Sequence, residues 1–222
     1  MAIVLIDRLR AVEDRIVRAA ARAGRTREDI ALIAVTKVFS ASAIQDAYAL
    51  GLREFGENYV QEFERKEPEV RALAGARIHM IGHLQSNKAK RAAELFHCVQ
   101  TVDSIKLARR LNEGERPLDV FLEVKLSGEE SKAGAAPEEL PALIEGVRGC
   151  ANLRLRGLMT MPPWSEEAET ARPYFARLRE LAARHGLPGL SMGMSNDFEV
   201  AIAEGATHIR VGTALFGPRK RA

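Results

Sequence analysis

The sequence predicts an α/β protein, a single (β/α)8 barrel of the TIM type with an extra N-terminal helix. Three observations carry that expectation. Eight short apolar or β-branched stretches alternate with stretches of helical periodicity, with no break in composition between them. The clearest of the eight, from Ile30 to Val35, is apolar throughout, as a strand buried on both faces of a parallel sheet has to be. A chain of 222 residues can bury one sizeable core, and single barrels commonly reach this length. An open doubly wound sheet is the other arrangement for such a pattern, but no GxGxxG follows the first strand.

The elements follow in order. Over residues 3–23, Leu5, Leu9, Val12 and Ile16 recur at spacings of four, three and four, giving one apolar stripe, while Arg8, Arg15 and Arg18 are expected to face water. Gly24 ends this helix. It precedes the first strand, so it is an additional element expected to pack across one end or side of the barrel. Strands are expected at 30–36, 53–56, 78–82, 97–102, 119–125, 153–160, 189–193 and 208–212. Helices are expected between them at 41–50, 58–73, 86–94, 104–113, 137–149, 167–185 and 197–204. Ser40 and Ser104 stand at N-cap positions, and Pro137 suits a first turn, with Glu138 and Glu139 near its positive end. Gly51, Gly114, Gly149, Gly186 and Gly205 follow helices as C-cap residues do. The strands at 53–56 and 189–193 are the least regular, being short and polar or glycine-rich. No linker or low-complexity stretch divides the chain, which reads as one domain over 1–222, with 1–24 as the extra helix and 218–222 as a basic tail.

Composition excludes several classes. Hydrophobic residues at 46% and charged residues at 28% describe an ordinary globular chain. A formal charge of +3 gives no footprint for nucleic acid, and Arg219, Lys220 and Arg221 read as a solvated tail. Cys98 and Cys150 form no CxxC pattern, and His79, His83, His97, His185 and His208 show no HxH or HxxxH spacing, so neither a disulfide framework nor a metal site is expected. The N-terminus carries acidic and basic residues early, unlike a signal peptide, and no run is long enough to span a membrane. A monomer in the cytoplasm is the expectation.

Candidate chemistry gathers at the two ends of the chain. Lys37 lies just past the carboxyl end of the first strand, where β/α proteins keep their functional groups. Burial lowers the pKa of a lysine, and such an amine is suited to forming a Schiff base with an aldehyde. Snorkelling to the rim, or pairing with a carboxylate such as Glu57, is the plainer alternative. Of the 33 basic residues, eight are lysines and 25 arginines, so a lysine at this position is a departure from the chain's habit. Near the other end, the loop after the seventh strand reads Ser191-Met-Gly-Met-Ser195-Asn-Asp197, and the last strand runs into Arg210-Val-Gly212-Thr213. The loops after the last two strands of such barrels commonly hold a phosphate, through serine or threonine hydroxyls and main-chain amides. Arg210 points by alternation either into the barrel mouth or out to the helices. A nucleophilic lysine, a phosphate cradle and an arginine that could donate to a ring nitrogen together fit one cofactor, pyridoxal 5′-phosphate.

Motifs along nearly the whole chain resemble one family. They are Ala34-Val-Thr-Lys37, Phe55-Gly-Glu-Asn-Tyr-Val-Gln-Glu62, Ile78-His-Met-Ile-Gly-His-Leu-Gln-Ser-Asn-Lys88, Ser131-Lys-Ala-Gly134, Arg156-Gly-Leu-Met-Thr160, Met192-Gly-Met-Ser-Asn-Asp197 and Arg210-Val-Gly-Thr-Ala-Leu-Phe-Gly217. Together they resemble the pyridoxal-phosphate homeostasis proteins, the YggS/PROSC family. His83 stands where members often carry proline. The resemblance implies a barrel like the N-terminal domain of alanine racemase, with pyridoxal phosphate held as a Schiff base on Lys37. It also implies that Ser195, Gly212 and Thr213 bind the phosphate, that Arg210 faces the pyridine nitrogen, and that Asn58 lies near the ring and its phenolic oxygen. The function it implies is that of a cofactor buffer or carrier, serving apo-forms of pyridoxal-phosphate enzymes and affecting amino-acid and keto-acid pools, without robust catalysis.

The residues bear on catalysis as well. An arginine cannot give up its proton, so it leaves the pyridine nitrogen an acceptor and weakens the ring as an electron sink. A racemase tolerates this if a second acid or base sits opposite the lysine. Tyr48 and Tyr174 read as helix-packing residues, Tyr59 follows the FGEN turn, and the chain stops about ten residues after the last strand. The site is therefore expected to be open on one face, which favours binding over turnover. A pyridoxal-dependent racemase or lyase is the alternative, and an aldolase-type barrel using Lys37 on a carbonyl substrate is a third. Ser127 to Gly134 reads as a rim element or a surface turn, and Met159 and Met161 as core or ring-packing residues.

Overall fold

The computed structural model describes residues 2–128 and 133–218. Arg219, Lys220 and Arg221 of the basic tail, and Ser131 and Lys132 of the fifth-strand loop, lie outside the described residues. Eight strands close into one parallel barrel in sequence order: β1 (Ala31–Val35), β2 (Glu54–Glu57), β3 (Arg77–Met80), β4 (Cys98–Val102), β5 (Leu118–Glu123), β6 (Leu153–Met159), β7 (Gly189–Met194) and β8 (His208–Val211). β8 pairs back with β1, Ala31 to His208 through Ala34 to Val211, so the sheet has no edge.

The helices are α1 (Ala2–Arg22), α2 (Ala41–Ala49), α3 (Val60–Val70), α4 (Ala89–Leu95), α5 (Ile105–Leu111), α6 (Leu140–Arg148), α7 (Arg172–Arg184), α8 (Phe198–Ala203) and α9 (Thr213–Phe216). Three of the expected helices begin as separate 3-10 turns, at Ser86–Lys88, Pro137–Glu139 and Ala168–Ala171. In the second case two prolines, Pro137 and Pro141, each withhold an amide at a helix start. Ser104 caps α5 by accepting from the Leu107 amide, but Ser40 makes no such bond, its hydroxyl meeting that of Ser42. Gly24, Gly51, Gly186 and Gly205 take the left-handed conformation expected of a C-cap. Gly149 does not, at φ −74°, and Gly114 serves space instead, since a Cβ there would stand 2.8 Å from that of Ala93.

Strand alternation divides the buried residues into two layers. Leu32, Ala34, Phe55, Val99, Val120 and Leu122 face outward and join the helices in the main core, with Ile44, Phe63, Phe96 and Phe175 among its fully buried members. Cys98, Phe121 and Met159 pack on one another as a separate apolar cluster. The interior also carries a chain of polar side chains. Arg210 donates to Ser191 Oγ (2.7 Å), Ser191 Oγ to Gln100 Oε1 (2.6 Å), and Gln100 Nε2 to His79 Nδ1 (3.0 Å), while His79 Nε2 bonds Glu54. Each buried polar group is thereby satisfied by the next, which fixes the side chain at the top of the chain, Arg210, in one place.

The extra helix packs against α8 and α9, the two helices that follow β7 and β8. Its apolar stripe, Leu5, Leu9, Val12 and Ile16, is buried as the periodicity predicts. Arg15, expected to face water, turns instead onto α8, because it borders the apolar stripe that packs there: it makes an ion pair with Glu199 (2.6 Å), lies over the Phe198 ring at 4.2 Å and donates to the Ser195 carbonyl at 3.3 Å. The helix thus supports the β7 loop from behind.

Candidate functional site

The six residues singled out in the sequence, Lys37, Asn58, Ser195, Arg210, Gly212 and Thr213, all line one cavity of about 300 Å3 at the carboxyl ends of the strands. That is the low end of the size range for small-molecule sites. Val35, Ile81, Met161 and Met194 supply apolar wall, and Trp164 and Asp197 complete one side.

Lys37 occupies a turn directly after β1, in which the Phe39 amide donates to the Thr36 carbonyl at 3.1 Å. Both its neighbours are anchored by a buried network the sequence reading missed. Lys66 on α3 donates to the Thr36 carbonyl (3.0 Å), to both carboxylate oxygens of Glu57 (2.9 and 3.1 Å) and to Glu62 (2.6 Å). Thr36 Oγ1 donates to Glu57 as well (2.7 Å), and the Val38 amide donates to Glu62 (2.6 Å). Glu57 is fully buried, and burial holds its carboxyl above the ordinary value although Lys66 pulls it down. Val38 has φ +63°, the only non-glycine residue with positive φ among those described. For a β-branched residue that conformation costs about 1–3 kcal/mol. The network thus holds a strained turn that aims the chain at Lys37. The i,i+4 pair Glu62–Lys66 was visible as a spacing, but its reach to Thr36 was not.

Arg210 resolves inward, only 3% exposed. Besides Ser191 it donates to the Thr160 carbonyl (3.0 Å). Burial lowers its pKa to about 10, against the opposing pull of Asp197 and Glu123, so at neutral pH it remains a cation with no proton to give. The β7 and β8 loops meet at Ser195, whose Oγ accepts from the amides of Gly212 (3.2 Å) and Ala214 (3.3 Å). Two main-chain donors and a hydroxyl converging on one point make an anion cradle. Gly193 supports the turn into it, having φ +90° and no room for a Cβ, which would stand 2.5 Å from that of Ala201. Asp197 accepts from the Met194 amide (2.6 Å) and closes the same turn. Arg15→Ala removes the support behind Ser195, and phosphate affinity measured by calorimetry is expected to fall about threefold to tenfold while the protein stays folded.

Asn58 follows β2, and its Oδ1 is buried without a hydrogen-bond partner. A buried polar atom left open in a cavity wall is capacity for a ligand. Gly82 lies directly behind it, where a Cβ would stand 2.3 Å from the Asn58 carbonyl oxygen and 2.8 Å from its Cα. Gly82→Ala is therefore expected to displace Asn58, costing about 1–3 kcal/mol in chemical denaturation and weakening ligand binding in the same titration.

Tyr48, Tyr59 and Tyr174 do not line this cavity. Tyr48 donates to the Ala74 carbonyl under Arg53, and Tyr59 is exposed ahead of α3. Among the described residues no three or more His, Cys, Asp or Glu side chains form a group that could hold a metal ion, and no helix is long and apolar enough to cross a membrane.

Comparison with known proteins places this geometry. The family model described as alanine racemase, N-terminal domain, matches residues 8–220. A protein of Pseudomonas aeruginosa named pyridoxal phosphate homeostasis protein is 49% identical over 97% of this chain and 96% of its own. One of the same name from Escherichia coli is 44% identical over 94% of each. The structure of PipY from Synechococcus elongatus with PLP bound superposes with a TM-score of 0.81 at 41% identity, covering 91% of this chain and all of that one. Alanine racemase from Corynebacterium glutamicum shares the fold at a TM-score of 0.67 and 18% identity, this chain spanning 61% of it.

Proposed function

Since the chain belongs to the alanine racemase N-terminal-domain family, and within it to the pyridoxal phosphate homeostasis proteins, we propose that it holds pyridoxal 5′-phosphate as a Schiff base on Lys37 and takes part in intracellular homeostasis of that cofactor. The observation that carries this reading is the convergence of Lys37, Arg210 and the Ser195–Gly212–Thr213 cradle on one cavity. The residues fit the group: an open polar atom on Asn58, two amides and a hydroxyl for a phosphate, and a buried arginine for a ring nitrogen.

Bound there, pyridoxal phosphate supplies an aldehyde and an electron-withdrawing ring. Lys37 supplies the amine, on a backbone held by Lys66, Glu57 and Glu62. Ser195, Gly212 and Thr213 hold the phosphate, and Asn58 meets the ring edge. Arg210 would serve as a donor to the pyridine nitrogen and would leave it unprotonated. That choice, together with a cavity wall without tyrosine, favours storage and release over turnover. Apo-forms of pyridoxal-phosphate enzymes are the receivers, and amino-acid and keto-acid pools respond through them. Cys98 and Cys150, which form no disulfide, suit a reducing cytoplasm. We take the chain to work as one domain and as a monomer, its closed barrel leaving no sheet edge for a second copy to extend.

Titration of the purified protein with pyridoxal phosphate, followed by absorbance, is expected to saturate at one cofactor per chain and give a yellow protein. A protein that stays colourless rejects the reading. Incubation of the loaded protein with L-amino acids in deuterated water is expected to leave Cα protons unexchanged, and rapid exchange that Lys37→Ala abolishes would make it a racemase or lyase instead.

A further inference from the structure

A second and larger cavity, of about 760 Å3, adjoins the cofactor cavity and shares Met161, Trp164 and Met194 with it. None of the six site residues lines it. Val124, Leu126, Pro162 and Ala133 add apolar wall, and His83, Lys125 and Ser127 add polar groups. It contains Glu123, the last residue of β5, 3% exposed and with Oε2 lacking any hydrogen-bond partner. Arg210 does not quench that oxygen, because its guanidinium donates to Ser191 Oγ and the Thr160 carbonyl instead. A buried carboxylate with an open lone pair and an apolar cavity in front of it has one chemical complement, a cation on an apolar body.

We propose that this cavity is a subsite for an organic ammonium ion, whose nitrogen bonds Glu123 Oε2 while its hydrocarbon part packs on Leu126, Met161 and Trp164. The charge around Glu123 agrees with the sign. Asp103, from the loop after β4, repels a second negative charge there, and Arg210 offsets it only in part. Burial and Asp103 together raise Glu123 to about 7. The ion pair therefore needs Glu123 ionised, so binding strengthens as pH rises through about 7 and persists until an alkylamine loses its own proton near pH 10. Among the groups on the neighbouring elements, His83 after β3 and Lys125 after β5 also line the cavity. The subsite requires only Glu123 and its cavity, so it does not stand or fall with the cofactor reading. Its shared wall with the cofactor cavity, at Met161, Trp164 and Met194, is what would make an occupying amine matter to the cofactor.

The test is isothermal titration of the full chain, as purified and after loading with pyridoxal phosphate, with N,N-dimethylhexylamine and with hexan-1-ol. The tertiary amine carries the charge but cannot form a Schiff base, and the alcohol keeps the hydrocarbon without the charge. At about pH 8 the amine is expected to bind at least about tenfold more tightly than the alcohol, and the advantage to shrink toward pH 5.5. Glu123→Gln, an isosteric change whose fold is checked by its melting curve, should erase the advantage. Leu126→Trp, which narrows the cavity and keeps the carboxylate, should weaken both ligands, and it decides the matter together with the pH series should the glutamine variant not fold. Equal binding of amine and alcohol, no binding of either, or an advantage that survives Glu123→Gln overturns the proposal. Uptake of pyridoxal phosphate is recorded separately by absorbance, and its failure would count against the cofactor reading alone.

Discussion

Lys66→Met is expected to destabilise the protein by about 3–5 kcal/mol, read as a lower urea midpoint at unchanged slope. The reason is what stays behind. Glu57 is fully buried, and Lys66 is its cationic partner as well as the ligand of the Thr36 carbonyl and Glu62. Without the ammonium the Glu57 carboxyl rises further above its ordinary 4.5, the direction burial already imposes. A carboxyl whose folded pKa lies above its unfolded value costs nothing while protonated in both states. The unfolded states titrate alike, so the deficit of the variant is smallest below the already raised folded pKa of Glu57 and grows as pH rises from there toward the variant's still higher folded pKa. A deficit that stays flat across that window would mean Glu57 has found another partner. Because the same network holds the strained turn around Lys37, the variant should also bind pyridoxal phosphate more weakly at pH values where it remains folded.

Lys37→Ala is the second change with a large expected effect, and here the loss falls on binding alone. Lys37 is half-buried, on a turn outside the core, so thermal stability without cofactor should move by no more than about 0.5 kcal/mol. Affinity for pyridoxal phosphate should fall by at least about a hundredfold, or about 2.7 kcal/mol, because only the cradle, Arg210 and Asn58 remain. What does bind should compete fully with inorganic phosphate. Affinity within about twofold of the original would show that the cradle alone accounts for retention and that the amine is incidental.

The barrel was legible because its signals are local. Parallel strands buried on both faces read as apolar runs, and Ile30–Val35 is observed as Ala31–Val35, with the other seven strands placed to within a few residues. Even the two least regular stretches became strands, Glu54–Glu57 and Gly189–Met194. The ends of helices were less legible, since a 3-10 turn and an α-helix differ by one hydrogen-bond register that the apolar spacing does not report. For the site, strand ends and loop chemistry brought out Lys37, Ser195, Gly212 and Thr213, but alternation left the direction of Arg210 open. The polar chain that settles it joins residues far apart, Ser191 and Gln100 being 91 positions from each other. No spacing rule reaches so far. Glu123 had a fainter signal: it stands two residues after Phe121 on β5, so the period of two already put it on the same inward face as that ring. Lys66 and the supporting role of Arg15 both come from helices folding back on the loops they follow or cover, which is tertiary information.

The central claim is that one amine, on the turn after the first strand, lies within a single cofactor's length of the anion cradle formed by the last two loops. Borohydride reduction of the protein loaded with pyridoxal phosphate, followed by peptide mapping, tests it most directly. The account predicts one pyridoxyl group per chain, on the peptide containing Lys37, and none when excess phosphate is present during loading. Label on Lys125 or Lys88, or spread over many lysines without regard to phosphate, would contradict it.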